Sequence, residues 1–106
     1  MNRTEEAYAA FLELRKRAGE VAWYRFEGIK LRLADKTFLT MDFAVMLASG
    51  EIELHDCKGG PVMEDAMVKL KVAAEAYPFA FFIVRKGKSP TSWTVTPVGR
   101  QEAGIA

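Results

Sequence analysis

Residues Phe38 to Lys58, FLTMDFAVMLASGEIELHDCK, constrain this chain more than any other stretch, because they read as a β-hairpin with little freedom in its turn. Apolar residues alternate along both arms, Phe43, Val45 and Leu47 on the first and Ile52 and Leu54 on the second, with Ala48-Ser49-Gly50 between them. Asp42 and Asp56 then fall far from the turn on facing strands.

Register decides whether these carboxylates meet. A three-residue loop closed by Gly50 in the left-handed conformation pairs Leu47 with Glu51, Met46 with Ile52, Ala44 with Leu54 and Asp42 with Asp56. Directly opposed side chains share a face with Cβ atoms roughly 5 Å apart, a separation that suits two carboxylates sharing one cation. A two-residue Ser49-Gly50 turn pairs Phe43 with Asp56 instead, sends Asp42 to the other face, and gathers Phe43, Val45, Leu47, Ile52 and Leu54 on one side. The first register is preferred because it accounts for the acids, and because a sheet covered on both faces needs no strict alternation. The second stays open.

The rest of the chain supplies support for the hairpin. A first helix is expected from about Thr4 to Ala18, with Glu5 and Glu6 at its positive end, Arg15, Lys16 and Arg17 at its negative end, and Gly19 as a stop. Tyr8, Phe11, Leu12 and Arg15 form its buried stripe. Glu5 continues that stripe one turn earlier, so it either leans toward the hairpin acids or simply favours the helix start. A strand follows around Ala22 to Glu27, then a bend at Gly28, an extended stretch from Lys30 to Leu33, and the turn Ala34-Asp35-Lys36. Arg25, Lys30 and Arg32 place a row of cations there, suited to phosphates or to protecting a sheet edge.

Gly59-Gly60-Pro61 ends the second hairpin arm in a flexible tip. Glu64 and Asp65 open a second helix that runs to about Ala76 and stops at Tyr77-Pro78, with Met67, Leu70, Ala74 and Tyr77 as its packing stripe. Phe79 to Arg85, FAFFIVR, is the apolar run of a strand buried on both faces. A peripheral strand is expected over 92–98 and a mobile tail over 99–106. The Asp56 and Phe79 strands, joined by a helix, are expected to run parallel, which gives an α/β domain with a mixed central sheet flanked by helices.

With 106 residues, 50% of them hydrophobic, the chain is expected to form one domain. The net charge of +1 means that any polyanion surface must be local. One cysteine, Cys57, excludes an intrachain disulfide and fits a reducing cytoplasm. No run approaches the roughly 20 apolar residues of a membrane span, and MNRTEEAYAA lacks a signal-peptide core, so a cytoplasmic location is expected.

At Asp42, Asp56 and Lys58 the sequence resembles the PD-(D/E)XK nuclease superfamily, whose signature is an acid at the start of one strand and an acid-x-lysine on the next. The element order also matches the αβββαβ core of that restriction-endonuclease-like fold. More narrowly, TEEAY, RAGEV, LRLADKTFLTMDFAV, the His-Asp-x-Lys-Gly triplet and VKLKVAAEAYPF resemble a small phage- and prophage-borne family of unknown function, over roughly residues 4–86. Two departures stand out. Met41 replaces the proline expected before the first acid, and Asp56 stands where the narrower family usually has glutamate.

The resemblance implies a Mg²⁺-dependent endonuclease, with Mn²⁺ as a substitute, acting in a host cytoplasm on DNA by structure rather than sequence. It implies Asp42 and Asp56 as metal ligands, the backbone carbonyl of Cys57 completing the inner shell, Lys58 orienting the attacking water, and Glu5 reaching a second metal or its water. The sharpest expectation is a homodimer cutting branched DNA like a Holliday-junction resolvase, with an interface at the first helix end or the Gly59 to Met63 tip. Lys69, Lys71, Arg85 and Lys86 are candidates for DNA contacts, or else a solvated helix face and strand end. His55 falls on the other side of its strand from Asp56 and is not favoured as catalytic. The alternative to catalysis is a nuclease fold kept as a DNA-binding or assembly subunit.

Overall fold

The computed structural model describes residues 1–99; of the expected tail, 100–106 lie outside the described residues. Helix α1 (Arg3–Arg17) is followed by strands β1 (Val21–Phe26), β2 (Lys30–Ala34), β3 (Thr37–Thr40), β4 (Phe43–Leu47) and β5 (Ile52–Cys57). Helix α2 (Glu64–Ala76), β6 (Ala80–Lys86) and β7 (Trp93–Pro97) complete the chain. The strands form a five-stranded mixed sheet in the order β1-β4-β5-β6-β7 and a separate two-stranded ribbon, β2-β3.

The hairpin has the three-residue-loop register. Phe43 pairs with His55, Ala44 with Leu54, Val45 with Glu53 and Met46 with Ile52. The Leu47 N–H donates to the Glu51 carbonyl at 2.8 Å and the Gly50 N–H to the Leu47 carbonyl at 2.9 Å, with Gly50 at φ +93°. A side chain at Gly50 would meet open space, so its cost would come from the backbone alone. Gly50→Ala is therefore expected to lower stability by about 1 kcal/mol, read as a fall in Tm of roughly 4–8 °C, and Gly50→Asn by less. Equal melting of wild type and Gly50→Ala would mean that the turn does not hold the register.

The first hairpin arm is not continuous from Phe38, which corrects the sequence expectation. Thr37–Thr40 pairs with β2, turning at Lys36 with φ +55°, and the chain changes sheets at Met41-Asp42. The reason is burial: Met41 is a core residue, packed with Leu31, Ala44, Leu54 and Phe81, so the backbone bends there to seat it. The β2-β3 ribbon thus stands between the edge strand β1 and the hairpin β4-β5 in the chain, outside the five-stranded sheet.

Two cores cover the two faces of the sheet. Tyr8 and Leu12 of α1 bury against Val21, Phe43, Val45 and Val84 on one face. On the other, Leu70, Ala73 and Ala74 of α2, with Leu31 of the ribbon, cover Ala44, Leu54, Phe81 and Ile83. Strands β5 and β6 run parallel, joined by α2, with Leu54 opposite Phe81 and Asp56 opposite Ile83.

Candidate functional site

Asp42 occupies the bend where the chain enters β4, one residue before the Phe43–His55 pair, so the hairpin register sets it opposite Asp56. Its backbone is fixed by the Glu27 N–H, which donates to the Asp42 carbonyl at 2.7 Å. Its Oδ2 accepts from the Cys57 N–H at 2.7 Å. The side chain of Asp42 thus continues the hairpin where the backbone ladder ends. Asp56 is buried near the end of β5, opposite Asp42 in the hairpin register and close enough for its charge to act on the Asp42 carboxyl.

Lys58 lies two residues on. Its N–H donates to the Val84 carbonyl at 3.0 Å, and its Nζ contacts Asp56 Oδ2 at 2.8 Å. Burial and the neighbouring Asp56 push the Asp42 carboxyl up to about 7, against the smaller opposing effect of the Cys57 N–H. Burial pulls the Lys58 ammonium down, but the hydrogen bond and charge of Asp56, with the charge of Asp42, outweigh it and hold Lys58 above the ordinary lysine value. Two part-buried carboxyl groups with one ammonium, paired to Asp56, form a site short of positive charge.

This makes stability depend on pH in a defined direction. A carboxyl whose pKa is raised by folding favours the native state below its unfolded value of 3.8, and that contribution is lost as pH rises through about 7. Asp42→Asn removes the charge while its amide oxygen can still accept from Cys57. The variant is expected to melt with the wild type near pH 4 and above it at pH 8, by ~1 kcal/mol once solvent screening of the part-exposed carboxyl is allowed for. A constant difference across that range, read by thermal melting, would refute the assignment.

The remaining expected site residues are distributed as follows. Cys57 directs its side chain to the α1 face, against the Tyr8 core, where burial and the charges of Asp42, Asp56 and Glu5 push its thiol up. Glu5 accepts the Asn2 N–H at 2.8 Å while Asn2 Oδ1 accepts the Glu5 N–H at 2.8 Å, a closed capping box. Its carboxylate is engaged with its own helix and acts on Asp42 only through its charge. The Asn2-x-x-Glu5 spacing is the sequence signal for that cap, and sequence reasoning passed over it. Lys69, Lys71 and Lys86 are exposed, whereas Arg85 Nη1 donates to the Gly60 carbonyl at 2.6 Å and ties β6 to the glycine tip.

His55 lies on the opposite face from Asp56, buried under α1. Tyr8 Oη stands 2.6 Å from His55 Nδ1, and His55 Nε2 stands 2.9 Å from Glu53 Oε1. Burial pushes the Tyr8 phenol well above its ordinary value, so it keeps its proton and donates to Nδ1. The network then assigns the remaining ring N–H to Nε2, donating to Glu53. Nothing in the sequence pairs Tyr8 with His55, because the contact joins a helix to a strand across 47 positions.

Among the described residues, no group of three or more His, Cys, Asp or Glu side chains converges as a metal-binding cluster. The Asp42–Asp56 pair does match the hard-oxygen donors that Mg²⁺ takes, an ion that commonly retains several waters and uses one or two carboxylates. No protein-family model, curated protein or solved structure matches this chain.

Proposed function

We propose that this α/β domain is a Mg²⁺-dependent endodeoxyribonuclease of the PD-(D/E)XK type. One observation carries the reading: Asp42, Asp56 and Lys58 converge at one end of the sheet, through the register that a three-residue turn imposes. The order of elements supports it. Helix α1, strands β1, β4 and β5, helix α2 and strand β6 follow the αβββαβ order of the restriction-endonuclease-like core, with the β2-β3 ribbon inserted and β7 appended.

Phosphodiester hydrolysis requires a neutralised phosphate, an activated water and a stabilised leaving oxygen. A divalent ion supplies all three when bound. Asp42 and Asp56 are the residues that would hold it, and losing the Asp42 proton would ready the pair for a cation. Lys58, fixed at both its backbone and its ammonium, keeps a positive charge beside the pair and stabilises charge developing on the phosphate. The carbonyl of Cys57 is the backbone donor next to Asp56, and Glu5 adds negative potential from the end of α1. Exposed Lys69, Lys71 and Lys86 are available to contact phosphates without reading sequence, which fits a substrate chosen by its shape.

A second reading has its own support. Glu5 is committed to the capping box and, among the described residues, no third carboxylate joins the pair, as in a nuclease fold retained as a DNA-binding or assembly subunit. Incubating the protein with branched and linear duplex DNA and Mg²⁺ or Mn²⁺ tests the first reading, and titrating Mn²⁺ against wild type and Asp42→Asn separates the two. Cleavage with Mn²⁺ binding lost in the variant supports the enzyme. DNA binding with no metal binding supports the subunit.

A further inference from the structure

The two edges of the five-stranded sheet are built differently. Strand β1 carries a bulge between Val21 and Trp23, has Arg25 along it and is flanked by Glu20 and Glu27, all features that discourage pairing with another strand. Strand β7, WTVTP, carries no charge and no bulge. Its register with β6 runs without a shift from Phe82–Pro97 to Lys86–Trp93. The Val98 N–H donates to the Phe81 carbonyl and the Gly87 N–H to the Ser92 carbonyl, so residues 92, 94, 96 and 98 turn their backbone groups toward β6. Those of Trp93, Val95 and Pro97 consequently point away from the sheet. Pro97, having no N–H, stands where β6 requires none.

We infer that β7 is the contact surface for a second copy of this chain, pairing antiparallel with its counterpart about a two-fold axis midway between the two Val95 residues. The sequence of the strand is self-complementary in that register. Val95 faces Val95 of the second copy, each donating its N–H to the other's carbonyl. Thr94 faces Thr96, a favourable cross-strand pair, and Trp93 faces Pro97, donating to its carbonyl. The missing N–H of Pro97 removes one ladder bond at each end and none at the centre. Shifting the pairing by one residue would aim bonded backbone groups at the partner; shifting it by two toward Pro97 would put the proline at a bonding position nearer the centre, and by two toward Trp93 would set Pro97 opposite Thr91, outside the strand.

Val95 is 45% exposed although it lies on the α1 face of the sheet, beside the Trp93 that packs on Tyr8 and Phe11. A second copy would cover it with an identical valine and extend that apolar face. The joined sheet would also bring both Asp56 side chains to one face, about 24 Å apart across five strand spacings. The inference does not rest on the proposed nuclease activity, and it moves the expected dimer contact away from the first helix end and the Gly59 to Met63 tip.

Sedimentation of the full chain over a concentration series tests it, with amide hydrogen exchange as the local readout. A dimer is expected, with the Trp93 and Val95 amides protected in it. Val95→Pro removes only an N–H that points away from β6, and Val95→Lys brings two ammonium groups face to face; each should weaken dimerisation about tenfold or more. Val72→Lys, on the exposed face of α2, should leave it unchanged. If Val95→Pro disturbs the fold, Val95→Lys decides, since that side chain already reaches solvent. A monomer at every concentration, a dimer indifferent to both Val95 variants, or one abolished by Val72→Lys would overturn the assignment.

Discussion

Lys58→Ala and Asp56→Ala are each expected to lower metal-dependent DNA cleavage by about 10²–10³-fold or more, the loss that follows when a group stabilising transition-state charge is removed. Both variants also break the 2.8 Å contact between Lys58 and Asp56, so loss of activity alone would not separate chemistry from folding. Lys58→Arg makes the separation. Arginine keeps the positive charge and can pair with Asp56, which preserves the structural role, but its longer, planar guanidinium cannot put a compact point charge where the Lys58 ammonium sits, so it cannot orient the water in the same way. The expectation is a variant that melts close to wild type, binds Mn²⁺, and remains strongly impaired in cleavage. Full activity in Lys58→Arg would reduce Lys58 to a counter-ion for Asp56. Cleavage surviving both alanine substitutions would identify a contaminating nuclease.

The parts of this architecture that could be read from the sequence are those fixed over short distances. The Ala48-Ser49-Gly50 loop sets the hairpin register through one left-handed glycine, and the register brings Asp42 to Asp56. Tyr8 and Leu12 at helical spacing, the α2 bounds at Glu64 and Ala76, and the apolar run that becomes β6 were also legible, since each follows from local periodicity or a chain stop. What escaped depends on tertiary choice. Phe38 to Thr40 carries a strand pattern that suits either the hairpin or the ribbon, and the burial of Met41 decides for the ribbon. Glu5 sits on the helical stripe that points toward the sheet, yet Asn2 lies three residues before it and captures its carboxylate locally. Proximity in sequence won over the longer reach to the acids.

Stability should depend most steeply on the contact that joins α1 to the sheet. Tyr8 is fully buried, edge-on to Phe43 and Trp93 with ring centroids 5.6 and 4.7 Å away, and its hydroxyl ends on a histidine that is itself 1% exposed. Tyr8→Ala removes the ring and leaves a cavity, which should cost about 3–5 kcal/mol, a large share of the roughly 5–15 kcal/mol that holds a domain of this kind together. Tyr8→Phe keeps the ring and removes only the hydroxyl, stranding His55 Nδ1 without a partner at a cost of about 1–3 kcal/mol. The two losses are separable because replacing both polar partners removes the stranded group: Tyr8→Phe with His55→Leu should be more stable than the sum of the single losses by about 1–2 kcal/mol, while Glu53, part-exposed, turns to water. Strict additivity in denaturant titrations would mean that the hydroxyl and the ring nitrogen are not coupled. Because the network lies on the face of β5 opposite Asp56, Mn²⁺ affinity should be unchanged in any variant that still folds, and a weakened metal site in Tyr8→Phe would show instead that the buried chain governs how Asp56 is held.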